Sequence, residues 1–309
     1  MTQTKLWLQG ARPRTLGAGV VPVLVGTAVS GHLIWWRFAA ALIVGAGLQV
    51  GVNFANDYFD GVRGVDSAGR MGPPRLTQSG AASPRAVLAA TMIALATAAV
   101  AGLALAIATS PVLILAVGAL SLLAALLYSG GPRPYAGLGL GELMVFAFFG
   151  LVATCGSAYV MVQTIPAGAW WCGSALGLLA VAILLANNLR DIPTDQQAGK
   201  RTLAVRLGEE RTRRLYRICV IGSFSVIAIG ALVHVYAPHV GVSPWSMLGL
   251  AAWVPAIKPM EAVGKATGRE LVPVLIGTAQ VHAVFGLLMT AGLFLSLHVG
   301  PPHPLHPHL

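Results

Sequence analysis

The sequence predicts an all-α, polytopic membrane protein. The expected architecture is nine transmembrane helices, arranged as two four-helix halves plus a ninth helix, with the N-terminus in the cytoplasm. Three observations carry this. Hydrophobic residues make up 56% of the 309 residues and charged residues only 10%, where a soluble domain carries about 25% charged residues. The apolar residues gather into runs close to the roughly 20 residues that a spanning helix needs. The basic residues fall between those runs and almost all on one side.

The runs are 15–34, 38–58, 84–108, 111–128, 141–163, 167–189, 216–236, 244–259 and 272–298. Ser83-Pro84, Ser110-Pro111 and Ser243-Pro244 open three of them. Serine suits an N-cap, and proline suits the first helical position, where its missing N–H is not needed. Segment 244–259 is short for a span. With alternating loops, every lysine and arginine except Arg37 lies on the cytoplasmic side. Trp35, Trp36, Trp170, Trp171 and Trp245 lie opposite and read as an interfacial belt. The net charge of +10 therefore reflects topology. Membrane lipids are the expected partners, and nucleic acid is not.

Residues 1–299 read as one transmembrane domain, with halves at about 12–140 and 141–260, and 300–309 as a Pro/His-rich tail without expected structure. The N-terminus lacks the features of a cleavable signal: Arg12-Pro13-Arg14 precedes a long apolar run with no clear cleavage site. Cys155, Cys172 and Cys219 lie in or at the edge of apolar runs and read as small buried hydrophobes. Their spacing gives no disulfide framework and no metal-thiolate site.

All ten acidic residues share the basic side, which the positive-inside rule does not require. The five aspartates among them all fall in two polar clusters, 53–80 and 187–203. Asn56-Asp57-Tyr58-Phe59-Asp60 aligns with Asn187-Asn188-Leu189-Arg190-Asp191, and each closes an even-numbered apolar run. That pattern suggests duplicated halves with a site at their interface. On a helix, Asn56, Asp57 and Asp60 share a face, as do Asp191 and Asp195.

These are C-terminal helix ends, which carry partial negative charge. Carboxylates there, near lipid, need protons or counter-cations. Two readings stay open. One is an inert network of aspartates and arginines. The other is a metal site, because oxygen-only sets of Asp and Asn suit hard divalent cations such as Mg²⁺, which shares its shell with substrate phosphates. The metal candidates are Asn56, Asp57, Asp60, Asn187, Asp191 and Asp195. Arg63, Arg70, Arg75, Arg133, Lys200 and Arg201 sit in adjacent loops and suit phosphate oxygens. No Walker loop and no GxGxxG is present. A diphosphate held at the mouth of a hydrophobic bundle implies an amphiphilic substrate whose tail runs between helices.

The two motifs, Asn56-Asp57-Tyr58-Phe59-Asp60 and Asp191-Ile192-Pro193-Thr194-Asp195, resemble the aspartate-rich motifs of the UbiA superfamily of intramembrane prenyltransferases. Residues 11–16, 56–66 (NDYFDGVRGVD), 70–73, 128–142 (YSGGPRPYAGLGLGE) and 187–208 (NNLRDIPTDQQAGKRTLAVRLG) resemble its 1,4-dihydroxy-2-naphthoate polyprenyltransferase branch. The matches run in order from residue 11 to about 208. One departure stands out. Gly64 occupies a position where the superfamily often has a third aspartate, and Asp66 stands two residues later.

The resemblance implies two Mg²⁺ ions held by Asn56, Asp57, Asp60, Asp191 and Asp195, with polyprenyl diphosphate and 1,4-dihydroxy-2-naphthoate as substrates. The aspartates Asp57, Asp60, Asp191 and Asp195 would be catalytic. Arg12, Asn53, Arg63, Asp66, Arg70, Arg75, Arg133, Asn188, Arg190 and Lys200 would contact diphosphate or acceptor, with Arg133 or Arg12 on the acceptor carboxylate. The prenyl group would replace that carboxylate, lost as CO₂, giving demethylmenaquinone. Another aromatic acceptor, such as 4-hydroxybenzoate, is the nearest rival. A secondary transporter is a remote one, since transporters place ion sites near the midplane and here the acids sit at one face.

Overall fold

The computed structural model describes residues 3–64 and 75–299. Asp66, Arg70 and the tail 300–309 lie outside the described residues. Among the described residues every element is helical. In order they are α1 (Gln3–Ala11), α2 (Gly17–Ser30), α3 (Trp35–Val62), α4 (Pro84–Ala108) and α5 (Pro111–Leu127). Then come α6 (Gly141–Val162), α7 (Ala167–Gln197), α8 (Leu203–Tyr236), α9 (Trp253–Ala262) and α10 (Leu271–Val299).

Six of these are long and apolar enough to cross a membrane: α3, α4, α6, α7, α8 and α10 with the turn before it. Helices α2 and α5 are apolar but shorter. The segment expected at 244–259 is less regular than its hydropathy suggests. It forms a 3₁₀ stretch, Pro244–Ala252, followed by α9. Pro255 and Pro259 explain this, because each removes a backbone donor from the ladder and crowds the carbonyl four residues before it.

Helices α3 and α7 outrun their apolar segments, ending at Val62 and Gln197. At about 1.5 Å per residue, the 28 residues of α3 exceed the roughly 30 Å hydrocarbon thickness. The first acidic motif straddles the end of its apolar run, and the second, 191–195, sits on the polar extension of α7. Ser83 caps α4 as its sequence predicts, its Oγ accepting from Ala86 N at 3.3 Å. Ser110 and Ser243 precede their helices without side-chain caps.

Helix α7 is the axis of the bundle. Its apolar window is 72% buried, against 28% for α4, so α4 faces lipid while α7 is enclosed by α2, α6, α8 and α10. Small residues permit this. A Cβ on Gly150 would lie 2.5 Å from Gly177 Cα, and one on Gly19 would lie 2.5 Å from Gly45 O. Backbones approach this closely in membranes because packing, not apolar desolvation, drives helix association there. Beside Gly150, α6 winds as a π-helix over Phe146–Val152.

At the end opposite the motifs, Arg37 donates to Val160 O (2.9 Å) and Ala108 O (3.1 Å). It neutralises two helix C-termini, which accounts for the one basic residue outside the main set. Trp35, Trp36, Trp170 and Trp245 are exposed at that same end. All three cysteines are free and buried.

Candidate active site

The first motif occupies the last turns of α3. Asp57 is buried, and both of its oxygens accept backbone N–H groups: Oδ2 from Leu76 (2.8 Å) and Oδ1 from Thr77 (2.9 Å). These bonds hold a turn whose first residue is Arg75. The Arg75 guanidinium reaches back across Asn56 and Asp60, donating to Asn56 Oδ1 at 3.2 Å and to Asp60 Oδ2 at 2.9 Å. Ser129 Oγ donates to the same Asn56 oxygen at 2.9 Å.

The second motif ends α7. Arg190 makes a forked contact with Asp191, Nε to Oδ1 at 2.7 Å and NH2 to Oδ2 at 2.6 Å. It also donates to Asn187 Oδ1 at 2.9 Å. Helix α7 closes on Gly199 with a left-handed φ of 69°. Gly199 N donates to Gln196 O and Lys200 N to Asp195 O (2.8 Å). This is the Schellman arrangement, in which glycine at the left-handed position avoids a Cβ clash. It aims Lys200 back at the bundle, where Nζ lies 3.2 Å from Asp60 Oδ2. The charge on Asp195 is attracted by Lys200 and repelled by Asp191 and Asp60. The acidic tips of α3 and α7 therefore share one electrostatic field, with Lys200 between them.

A cavity of about 460 Å³ opens from this junction. Its polar end is lined by Arg12, Gln49, Asn53, Asn56, Tyr128, Tyr135 and Asn187. The rest is apolar, including Val44, Leu105, Ile114, Phe148 and Val160. Lining residues Ala41 and Asn56 bound it along α3, a rise of about 22 Å at 1.5 Å per residue.

Arg12 stands at the polar end in a left-handed backbone conformation, φ 54° and ψ 63°, which is uncommon for a residue with a Cβ. Burial, then the proximity of Arg75, pulls its pKa down to about 10, so it stays charged at neutral pH. The rings of Tyr128 and Tyr135 meet edge to face at 5.5 Å, and the Tyr135 hydroxyl donates to Ala124 O at 2.9 Å.

The other sequence candidates take different places. Asn53 ties the N-terminal segment to α3 through Ala11 O (3.0 Å). Arg63 donates to Ser129 O (2.8 Å) and to Gly131 O, so it braces the turn after α5. Asn188 donates to the buried carboxylate of Glu142 at 3.0 Å. Arg133 is exposed and is not among the cavity-lining residues. Tyr128, Ser129, Tyr135 and Glu142 join the site without standing out in the sequence as candidates. A signal was present for the tyrosines, the only aromatic residues between α5 and α6.

Among the described residues, no three His, Cys, Asp or Glu side chains converge as a metal site. The donor set nevertheless fits a hard cation in kind. Both Asn56 and Asn187 reach the cavity, and each stands beside an aspartate through a shared guanidinium. Those oxygens suit Mg²⁺. An ion-pair network is present as well, and it covers the same oxygens.

The profile described as "UbiA prenyltransferase family" matches residues 19–266. Over 295 residues the chain is 44% identical to a protein of Mycobacterium tuberculosis named 1,4-dihydroxy-2-naphthoate octaprenyltransferase, covering 93% of this chain and 96% of that one. It is 36% identical to the Escherichia coli protein of the same name, covering 96% and 95%. Among solved structures, the apo UbiA homolog from Aeropyrum pernix K1 matches with a TM-score of 0.69 at 15% identity, covering 91% of this chain and 98% of that one. A UbiA homolog from Archaeoglobus fulgidus bound to DMAPP and Mg²⁺ matches with a TM-score of 0.56 at 15% identity, covering 93% and 99%. At that identity the structural likeness concerns the fold.

Proposed function

This chain belongs to the UbiA prenyltransferase family, and from that premise we propose that it transfers a polyprenyl group from polyprenyl diphosphate to 1,4-dihydroxy-2-naphthoate. CO₂ and diphosphate are lost and the product is the hydroquinone demethylmenaquinol, a menaquinone precursor; the quinone expected from the resemblance would need a separate two-electron oxidant. The observation that carries the reading is one apolar cavity whose polar end is bounded by residues of both motifs. The acceptor follows from relatives that carry that activity in their names and align over nearly the whole chain.

Asn56, Asp60, Asn187, Asp191 and Asp195 would hold Mg²⁺, two ions in this reading. When bound, the metal stabilises negative charge developing on the departing diphosphate. Arg75, Arg190 and Lys200 supply positive charge at the same point, which favours ionisation of the allylic carbon. Asp57 contributes by holding the turn that presents Arg75. The prenyl tail lies along Leu105, Ile114 and Val160, and the apolar walls keep water from the allylic cation. The acceptor ring rests against Tyr128 and Tyr135, and its carboxylate faces Arg12. The electron-rich ring then attacks the allylic carbon.

In this reading the chain sits in the cell membrane with nine spans, its N-terminus and active site on the cytoplasmic side, and residues 1–299 forming one domain. The distribution of lysine, arginine and tryptophan supports that orientation.

Membranes containing the protein, supplied with labelled polyprenyl diphosphate, test the reading. Product is expected with 1,4-dihydroxy-2-naphthoate, with little from 4-hydroxybenzoate, and EDTA should abolish it. Preference for 4-hydroxybenzoate would overturn the acceptor assignment, and full activity in EDTA would overturn the metal assignment.

A further inference from the structure

Each motif carries one guanidinium in the same relation to its oxygens. Arg75 spans Asn56 Oδ1 and Asp60 Oδ2. Arg190 spans Asn187 Oδ1 and both oxygens of Asp191. The two arginines do not correspond in the chain. Arg75 comes from a turn 15 residues after Asp60, whereas Arg190 directly precedes Asp191 in the helix. A copied sequence does not explain the shared arrangement, but a shared electrostatic need does. Lys200 adds a third cation, bonded to Asp60 and attracting Asp195.

We propose that Arg75, Arg190 and Lys200 are exchangeable counter-cations. They neutralise the motif oxygens before substrate arrives and transfer to the diphosphate as the divalent metal takes those oxygens. Metal and diphosphate then bind as a coupled pair. The inference rests on the functional reading above and adds the order of charge exchange to it.

A divalent ion arriving alone must displace cations from Asp60 and Asp191. Arg75 and Arg190 are almost fully buried, so a displaced guanidinium without an anion is a desolvated, unpaired charge, which is strongly unfavourable. A diphosphate arriving alone meets three carboxylates, Asp60, Asp191 and Asp195. Arriving together, the metal satisfies the carboxylates and the phosphate oxygens satisfy the arginines, for which planar guanidinium forks are well shaped. The site passes between two nearly balanced charge states and avoids the unbalanced ones. Each ligand therefore raises the affinity of the other by the same factor.

The test measures metal affinity rather than turnover. Purified protein in detergent is titrated with Mn²⁺, followed by electron paramagnetic resonance, with and without geranyl thiodiphosphate as an unreactive prenyl diphosphate. In the wild type, the thiodiphosphate is expected to tighten Mn²⁺ binding by about tenfold or more. Lys200→Met and Arg190→Met are expected to tighten the binding of Mn²⁺ alone, also by about tenfold, and to shrink the coupling. Lys200→Arg, which keeps the charge, should behave as wild type. Lys200 is the least buried of the three cations, so its variants keep the test open if Arg190→Met does not fold. Unchanged or weaker binding of Mn²⁺ alone in a folded Lys200→Met protein overturns the exchange. If the wild type binds no Mn²⁺ even with the thiodiphosphate, the metal reading itself fails, and the exchange with it.

Discussion

Lys200 Nζ lies 3.2 Å from Asp60 Oδ2, joining the two acidic motifs across 140 residues of sequence. The contact depends on a helix ending at one place. Gly199 takes the left-handed conformation that stops α7, and the next residue is directed inward. Asp60 also binds Arg75 at 2.9 Å, so one carboxylate answers two cations. Asp60→Asn removes the charge and leaves both cations underbalanced. Transfer activity is expected to fall by about 10² to 10³, the scale for losing one electrostatic group that acts on the leaving charge. Turnover in membranes measures it, with thermal melting to show that the variant is folded. Activity within a few-fold of wild type would remove Asp60 from the reaction.

Asp57 differs from its neighbours, because both of its oxygens are bound to backbone N–H groups. Asn at this position offers one acceptor oxygen in place of two. Asp57→Asn is expected to cost about 1–3 kcal/mol of stability, the scale for stranding a buried donor. Because the turn at Arg75 loosens, activity should fall, while the Mn²⁺ affinity of the folded protein stays near wild type. A stability like wild type with a lost metal response would instead make Asp57 a ligand, as the motif alone suggests.

These two residues show how far sequence reasoning reaches. The acids at the ends of α3 and α7 are legible because the apolar runs give out at them and the helical period puts Asn56 and Asp60 on one face. The aim of Lys200 is also legible in principle, since Gly199 marks the stop. What the pattern does not carry is the identity of partners across the fold. Arg63 looks like a phosphate ligand in the sequence but spends its donors on Ser129 and Gly131 carbonyls. Asp57 looks like Asp60 but binds a turn that only the tertiary fold brings near. Ser83, Ser110 and Ser243 read alike before their prolines, yet only Ser83 caps with its side chain. In 244–259, hydropathy suggests a span while Pro255 and Pro259 break its regularity.

Tyr128 and Tyr135 flank the polar end of the cavity with their rings 5.5 Å apart. If the acceptor ring rests there, Tyr128→Ala should raise KM for 1,4-dihydroxy-2-naphthoate by about tenfold, the upper scale for one aromatic contact. KM for the prenyl diphosphate should change little. Steady-state kinetics with each substrate varied in turn separates the two. An effect confined to the prenyl diphosphate would move the acceptor elsewhere in the cavity.

Gly118 and Gly156 line the apolar part of the cavity, and a Cβ on either would meet nothing within 4 Å. Most glycines in this bundle instead mark close crossings, so these two offer a way to fill the cavity without forcing helices apart. Gly118 lies ten positions before Tyr128 along α5 and its C-terminal turn, a rise of about 15 Å. Gly118→Phe should therefore leave the polar end intact and obstruct the space beyond it. Melting temperature should hold or rise, since replacing a helical glycine gains up to about 1 kcal/mol. Activity with geranyl diphosphate should persist, while activity with an octaprenyl donor falls by about tenfold, the range that lost burial of one or two apolar groups spans. The measurement is the product ratio when both donors compete in one reaction. An unchanged ratio in a stable Gly118→Phe protein would show that the prenyl tail leaves the cavity before reaching the level of Gly118.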